Sequence, residues 1–220
     1  ETYLESHFLA ATLIAERDSL EEGLNYLQGV TITSTEGEKR RLVTQAELQL
    51  LYKQTEAAVA SYTLALESAP KDKDILYARA MVYEKLDRID LLESDLLRVL
   101  QFYPDNSTAL NALGYTLADR TDRYDEALQY IEKALKQHPD DAAILDSMGW
   151  VLYKMGRYNE SLPYLNRANS LREDGEIAAH YGELLWVSGD EEKAREVWAK
   201  AKEFAPDHEI LVRTLKRFLP

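Results

Sequence analysis

Apolar residues return along this chain at three- and four-residue steps, in runs of about a dozen positions broken by short polar turns, which is the signature of amphipathic helices. Leu110, Leu113 and Leu117 form one such face, Leu145, Met148 and Leu152 a second, and Ala178, Tyr181 and Leu185 a third. Each carries a glycine in the same phase, at Gly114, Gly149 and Gly182, with Ala46, Ala80 and Ala11 at the corresponding places of looser copies. The helix that follows has its own small residue, Ala127, Ala194 or Ala58, and four residues later a large one, Ile131, Trp198 or Tyr62. Leu92 and Ser161 are looser versions of the small site. Small and large residues in this order predict pairs of helices packed closely within a hairpin.

The theme repeats at about 34 residues, a period at which each unit buries its apolar face only against its neighbours. Pro70, Pro104, Pro139 and Pro206 lie 34, 35 and 67 residues apart and punctuate it. Each ends the second helix of a pair, because proline lacks the amide a helix interior needs and pushes its predecessor out of the helical region. This frame predicts an all-α array across residues 1–220, with helical hairpins at 4–38, 39–72, 73–106, 107–141, 142–174 and 175–208. A closing helix over 209–218 exposes Arg213, Lys216 and Arg217 and covers the last hairpin with Leu211, Val212, Leu215 and Leu219. The first hairpin is irregular: Ser19 and Glu22 suggest a capping box, and the β-branched run from Val30 to Thr35 reads as a long connector. The fourth unit holds one extra residue, which the spacing places in the turn between Asp119 and Arg123.

The net charge of -13, from 39 acidic and 26 basic residues, argues against nucleic acid, whose affinity rests on Lys and Arg neutralising phosphates. No cysteine is present, which excludes disulfides, thiolate metal sites and thiol nucleophiles. No apolar run of about 18 residues predicts a membrane span. Residue 1 is a glutamate with no signal-like segment after it, so the chain reads as a piece whose targeting signal would lie upstream.

Candidate chemistry is sparse. The histidines at positions 7, 138, 180 and 208 stand in different repeats, without the spacing that sets two ligands on one helical face. Ser61, Ser147 and Ser161 lack nucleophile-elbow glycines, and no glycine-rich loop precedes a Lys-Ser/Thr pair. Paired carboxylates such as Asp125 with Glu126 and Glu191 with Glu192 open second helices, where they complement the helix dipole. The expectation is no enzyme, no cofactor and no metal, hence a chain that holds other molecules.

The motif Leu110, Leu113-Gly114, Leu117, Ala127, Ile131 and Pro139, with its two following copies, resembles the tetratricopeptide repeat. That resemblance implies a right-handed superhelical solenoid of about six hairpins plus a capping helix, with first helices lining a concave wall. Carried over by phase, the protein-binding wall positions are Asp74, Tyr77 and Met81 in the third hairpin and Asn111 and Tyr115 in the fourth. Asp146, Trp150, Tyr153 and Lys154 follow in the fifth, and Glu183 and Trp186 in the sixth. Aromatics interleaved with Asn and Asp suit capture of an extended peptide. Asp74, Asp146 and Glu183 make the wall acidic, so a basic or neutral guest is expected and a guest carboxylate disfavoured. Tyr115 and Trp150 are expected to be removable together without unfolding the array.

The blocks LNALGYTLADRTDRYDEALQYIEKAL, ILDSMGWVLYKMGRYNESLPYLNRA and AAHYGELLWVSGDEEKAREVWAKA, in this order, are similar to the C-terminal half of LbcA-type outer-membrane lipoprotein adaptors. Those adaptors serve a carboxyl-terminal processing protease. The resemblance implies a periplasmic scaffold, tethered through an N-terminal lipid anchor, whose partners are that protease and peptidoglycan cross-link hydrolases. The alternative reading is a homodimer or other assembly module of the envelope, motivated by the irregular first hairpin.

Overall fold

A computed structural model describes residues 2–219. Helices account for every regular element among them: α1 (Thr2–Arg17), α2 (Leu20–Gly29), α3 (Thr35–Leu51), α4 (Thr55–Ser68), α5 (Lys73–Lys85), α6 (Ile89–Phe102), α7 (Ser107–Arg120), α8 (Tyr124–Gln137), α9 (Ala142–Lys154), α10 (Tyr158–Leu171), α11 (Gly175–Val187), α12 (Glu191–Phe204) and α13 (Glu209–Phe218). Consecutive helices pair as hairpins, α1 with α2 through to α11 with α12. The helices cluster into two compact units with the boundary between Pro104 and Asp105.

The periodicity has a local cause at each hairpin entrance. Two residues after Pro70, Pro104 and Pro139 stand Asp72, Asn106 and Asp141, each an N-cap whose side chain accepts amide hydrogen bonds from the first turn. Asp174 does the same for α11. A cap satisfies donors the helix itself leaves unpaired and fixes where its apolar face begins.

Within hairpins, a residue with positive φ turns the chain after α3, α5, α9 and α11: Lys53, Asp87, Gly156 and Gly189. The residue after each donates to a carbonyl five positions back, as in Gln54 to Gln49 and Arg157 to Leu152, which closes a Schellman turn. The hairpin of α7 and α8 differs. Its extra residue lies in the helix, so α7 has 14 residues against 13 in α9 and α11, and none of Thr121, Asp122 and Arg123 has positive φ. The expected turn insertion is therefore a helix extension.

In the first unit, Phe8, Ala11 and Ala15 of α1 meet Leu20 and Leu27 of α2 and Leu48 of α3 in one buried cluster. Ser19 caps α2 by accepting from the Glu22 amide. Thr35, expected in the connector, opens α3 behind the Ser34 cap, so the anticipated hairpin boundary at 38/39 falls inside that helix. The buried carboxylate of Asp95 holds Arg79 through two hydrogen bonds of 2.7 Å, which ties α6 to α5.

In the second unit the glycines give way to large partners on the second helices. A Cβ on Gly114 would lie 2.5 Å from Ile131, and one on Gly149 or Gly182 would overlap Leu165 or the Trp198 indole. The closing helix α13 packs chiefly on α11. Leu211 is fully buried there, with Leu215, Phe218 and Leu219 packed beside it.

Candidate functional site

The second unit carries a cavity of about 340 Å³ walled by side chains of α9, α11 and α13 and by Asp119 near the end of α7. Capped by Asn106, Asp141 and Asp174, the first helices α7, α9 and α11 run in the same phase, and α9 packs against both of its neighbours. Residues one period apart therefore face each other across helices.

Trp150 forms one wall. Its ring stacks on His180 at 3.9 Å and on Tyr153 at 5.0 Å, and its indole N–H donates to Asp119 Oδ1 at 3.1 Å. His180 Nδ1 lies 2.9 Å from Asp146 Oδ2. The Tyr153 hydroxyl donates to Glu183 at 2.8 Å, and Arg217 of α13 donates to the same carboxylate oxygen at 3.0 Å. Tyr115 donates its hydroxyl to Glu176. Lys154 stands over the Trp150 ring, with its Nζ 3.5 Å from the Asp119 backbone carbonyl. The result is one polar and aromatic network linking α7, α9, α11 and α13.

Burial changes what these groups are. Trp150, Asp146, His180 and Glu183 are 7%, 4%, 3% and 4% exposed. Burial first, then Glu176 and Asp119, push the Tyr115 hydroxyl far above its ordinary pKa, and burial with the Glu183 hydrogen bond raises that of Tyr153, so both stay protonated donors. Burial works against a charge on His180, but Asp146, assisted by Glu176 and Asp119, outweighs it and raises the pKa. The acidic wall expected from sequence is corrected accordingly: Asp146 is matched to His180, and Glu183 to Arg217 and Tyr153, so neither presents an open negative charge.

The other sequence-derived positions scatter. Asn111 is half-buried on α7, and its Oδ1 has no hydrogen-bond partner among the described residues. Trp186 is not among the residues lining the cavity; it packs on the same core as Tyr153, 5.7 Å from Trp198 and 5.8 Å from Phe218, with Arg195 over its ring. Asp74, Tyr77 and Met81 belong to α5 of the first unit. Asp74 is exposed and the other two half-buried, and burial followed by the charge of Glu84 raises the Tyr77 pKa.

Sequence reasoning overlooked His180 as a partner and assigned Arg213 and Arg217 only to a solvated outer surface. Asp146 with His180, and Glu183 with Arg217, are opposite-charge pairs separated by 34 residues, one full period. That spacing was the available signal. Among the described residues no three His, Asp or Glu side chains converge in a way that could hold a metal ion, and no helix is long and apolar enough to cross a membrane.

Comparison with known proteins agrees with this geometry. Models of the tetratricopeptide repeat match residues 120–171 and, in a second form, 90–142 and 147–209. Over 164 residues the chain is 46% identical to the TPR repeat-containing protein PA4667 of Pseudomonas aeruginosa. That alignment covers 74% of this chain and 28% of the relative, so the chain spans little more than a quarter of that protein's length. Among solved structures, a tetratricopeptide repeat protein of Parabacteroides merdae superposes with a TM-score of 0.74 at 18% identity, covering 99% of this chain and 92% of the other. PilF of Pseudomonas aeruginosa superposes at 0.70 and 17% identity, covering 97% of each chain. At such identities these likenesses concern the fold.

Proposed function

Because the chain belongs to the tetratricopeptide repeat family, whose members are generally non-catalytic scaffolds that bind other proteins, we propose that it is an adaptor of a Gram-negative cell envelope. It brings peptidoglycan cross-link hydrolases to a periplasmic carboxyl-terminal processing protease. The full protein is held at the outer membrane by a lipid anchor upstream of this segment. The observation that carries the reading is the recess of α9, α11 and α13, where first helices aligned by the repeat converge with fixed aromatic and charged groups. The partners in this reading rest on the likeness of the sequence blocks in the fourth to sixth hairpins to those of LbcA-type adaptors.

Such an adaptor works through effective concentration, since two proteins held on one scaffold meet far more often than in free solution. No bond chemistry is asked of the chain. Capture from a Gram-negative envelope extract on the immobilised chain tests this reading. Recovery of a processing protease and cell-wall hydrolases supports it, and recovery of neither counts against it.

One observation favours a second reading, self-association. On α1, Tyr3, Leu9 and Leu13 are 69%, 62% and 55% exposed. Sedimentation at several concentrations decides: a dimer that disappears in Leu9→Glu/Leu13→Glu favours assembly through α1, and a monomer throughout removes the idea.

A further inference from the structure

We propose that the hydrogen bond from Tyr115 to Glu176 is a latch, which holds α7 to α11 across the inner face of the second unit while His180 is protonated and lets go when the pH rises. Between these two helices lies α9, which packs on both. Tyr115 reaches past it, donating its hydroxyl to Glu176 in the first turn of α11 and setting its ring 6.1 Å from that of His180. The bridge joins residues 61 positions apart in the chain, beside the Trp150 ring that lies on His180.

The charges around the latch balance through His180. Carboxylates come from Asp119 of α7, Asp146 of α9, and Glu176 and Glu183 of α11; cations come from Lys154 of α9, His180 of α11, and Arg213 and Arg217 of α13. Asp119 keeps its charge, because the Trp150 indole that donates to it is neutral, and Lys154 lies beside it with Nζ 3.5 Å from the Asp119 carbonyl. Glu183 is matched by Arg217, with the Tyr153 hydroxyl as a second donor. Arg213 faces the same recess from the exposed side of α13. Asp146 and Glu176 are left to share His180. Asp146 depends on it most: it is 4% exposed, one oxygen meets the imidazole at 2.9 Å, and the other is buried with no hydrogen-bond partner among the described residues. A buried carboxylate so placed needs a cation beside it.

Burial opposes a charge on His180, but Asp146, with Glu176 and Asp119 behind it, outweighs burial and raises the pKa. The network is therefore complete at low pH and loses its proton as the pH climbs through the folded value. Asp146 and Glu176 are then both without the cation they share. Asp146 is enclosed, whereas Glu176 is half-buried in the first turn of α11 and can turn to water, and in doing so it leaves Tyr115. The Tyr115 hydroxyl does not itself titrate, since burial, then Glu176 and Asp119, hold its pKa far above the ordinary value. Release opens the inner face between α7 and α11. That the opening admits a partner rests on the adaptor reading; the latch itself does not.

The chain has no cysteine, so a nitroxide on Thr108→Cys, exposed in the first turn of α7, is site-specific. Its relaxation effect on the methyl groups of Ile177 and Leu184 in α11 reports how close α7 stays to α11. NMR follows these methyls and the His180 ring while the pH is raised from about 6 to about 9, the span in which a histidine held by a carboxylate titrates. The effect on both methyls should fall by about half or more, with the midpoint of the ring signal. At Ile131 of α8, the hairpin partner of α7, it should stay constant. His180→Gln should abolish the pH dependence. Glu176→Gln keeps an acceptor for Tyr115 but removes one of the two charges, so it should hold the closed level to higher pH.

Methyl relaxation that stays constant while His180 loses its proton, a His180 ring that keeps its proton throughout, or a pH response unchanged in Glu176→Gln overturns the proposal. The last arm decides even where His180→Gln fails to fold. Because these signals come from the chain alone, a latch that fails leaves envelope capture to be judged by itself. A latch that opens as expected in a chain that captures no protease or hydrolase rejects the adaptor and leaves the latch standing.

Discussion

Trp150 shows how a repeat phase can identify a residue and misjudge its work. Its place on the inner face follows from the 34-residue frame, yet its ring is sandwiched between His180 and Tyr153 and nearly closed to solvent. Trp150→Ala should cost about 3 to 5 kcal/mol, the range for removing a large buried side chain, and a urea melt followed by circular dichroism will show it. A midpoint unchanged from the parent chain would mean that the stack contributes little. His180 adds a pH dependence. Its folded pKa is raised above the ordinary value of 6.5, so the native state holds the proton to higher pH than the unfolded chain does. The resulting stability is fully present below the unfolded pKa and is lost as pH rises through the folded one. Urea midpoints from pH 6 upward should fall, and His180→Gln should flatten that slope. A midpoint that rises over the window would reverse the assignment. These partnerships were legible only in part: spacing fixes which residues share a face, while the ring or carboxylate each one meets depends on its neighbour one period away.

At the scale of elements, caps and turns explain why the hairpins are regular. The proline punctuation was plain in the sequence. The Asp and Asn caps two residues later, which set the start of each first helix, are short polar residues that composition alone does not distinguish from surface. The extra residue of the fourth repeat was visible as a count, but its location was not, because helix and turn can each absorb one residue. Left-handed turn positions offer a direct check. Gly156 and Gly189 adopt positive φ freely, whereas Lys53 carries a side chain at φ 60 in the equivalent turn. Lys53→Gly should stabilise the chain by up to about 1 kcal/mol, since the left-handed penalty for a residue with a Cβ exceeds the entropy glycine loses on folding. A lower thermal midpoint would show that the entropy term wins there.

At the scale of the whole molecule, the helices form two compact units, each of which is expected to answer to its own lesions. A repeat protein is held by neighbour contacts, so a lesion is felt where it falls and fades along the chain. All three tryptophans lie in the second unit, so fluorescence reports that unit, whereas circular dichroism reports helices of both. Asp95→Ala strands the Arg79 guanidinium in the first unit and should cost about 3 to 5 kcal/mol. The dichroism transition should move to lower urea well ahead of the fluorescence transition. Coincident shifts in both signals would make the chain one cooperative block. Fold class was readable because repetition multiplies a weak signal through several copies. The recess was not, because α13 is outside the repeat and its arginines look, by themselves, like an ordinary charged surface.

The measurement closest to the central claim is a reconstituted degradation assay with a purified carboxyl-terminal processing protease, a purified peptidoglycan cross-link hydrolase and this chain. Hydrolase loss is timed over a range of chain concentrations. An adaptor accelerates degradation, then slows it again at excess, when protease and hydrolase occupy separate copies of the scaffold. A rate independent of chain concentration, with neither protein retained by the immobilised chain, would contradict the account.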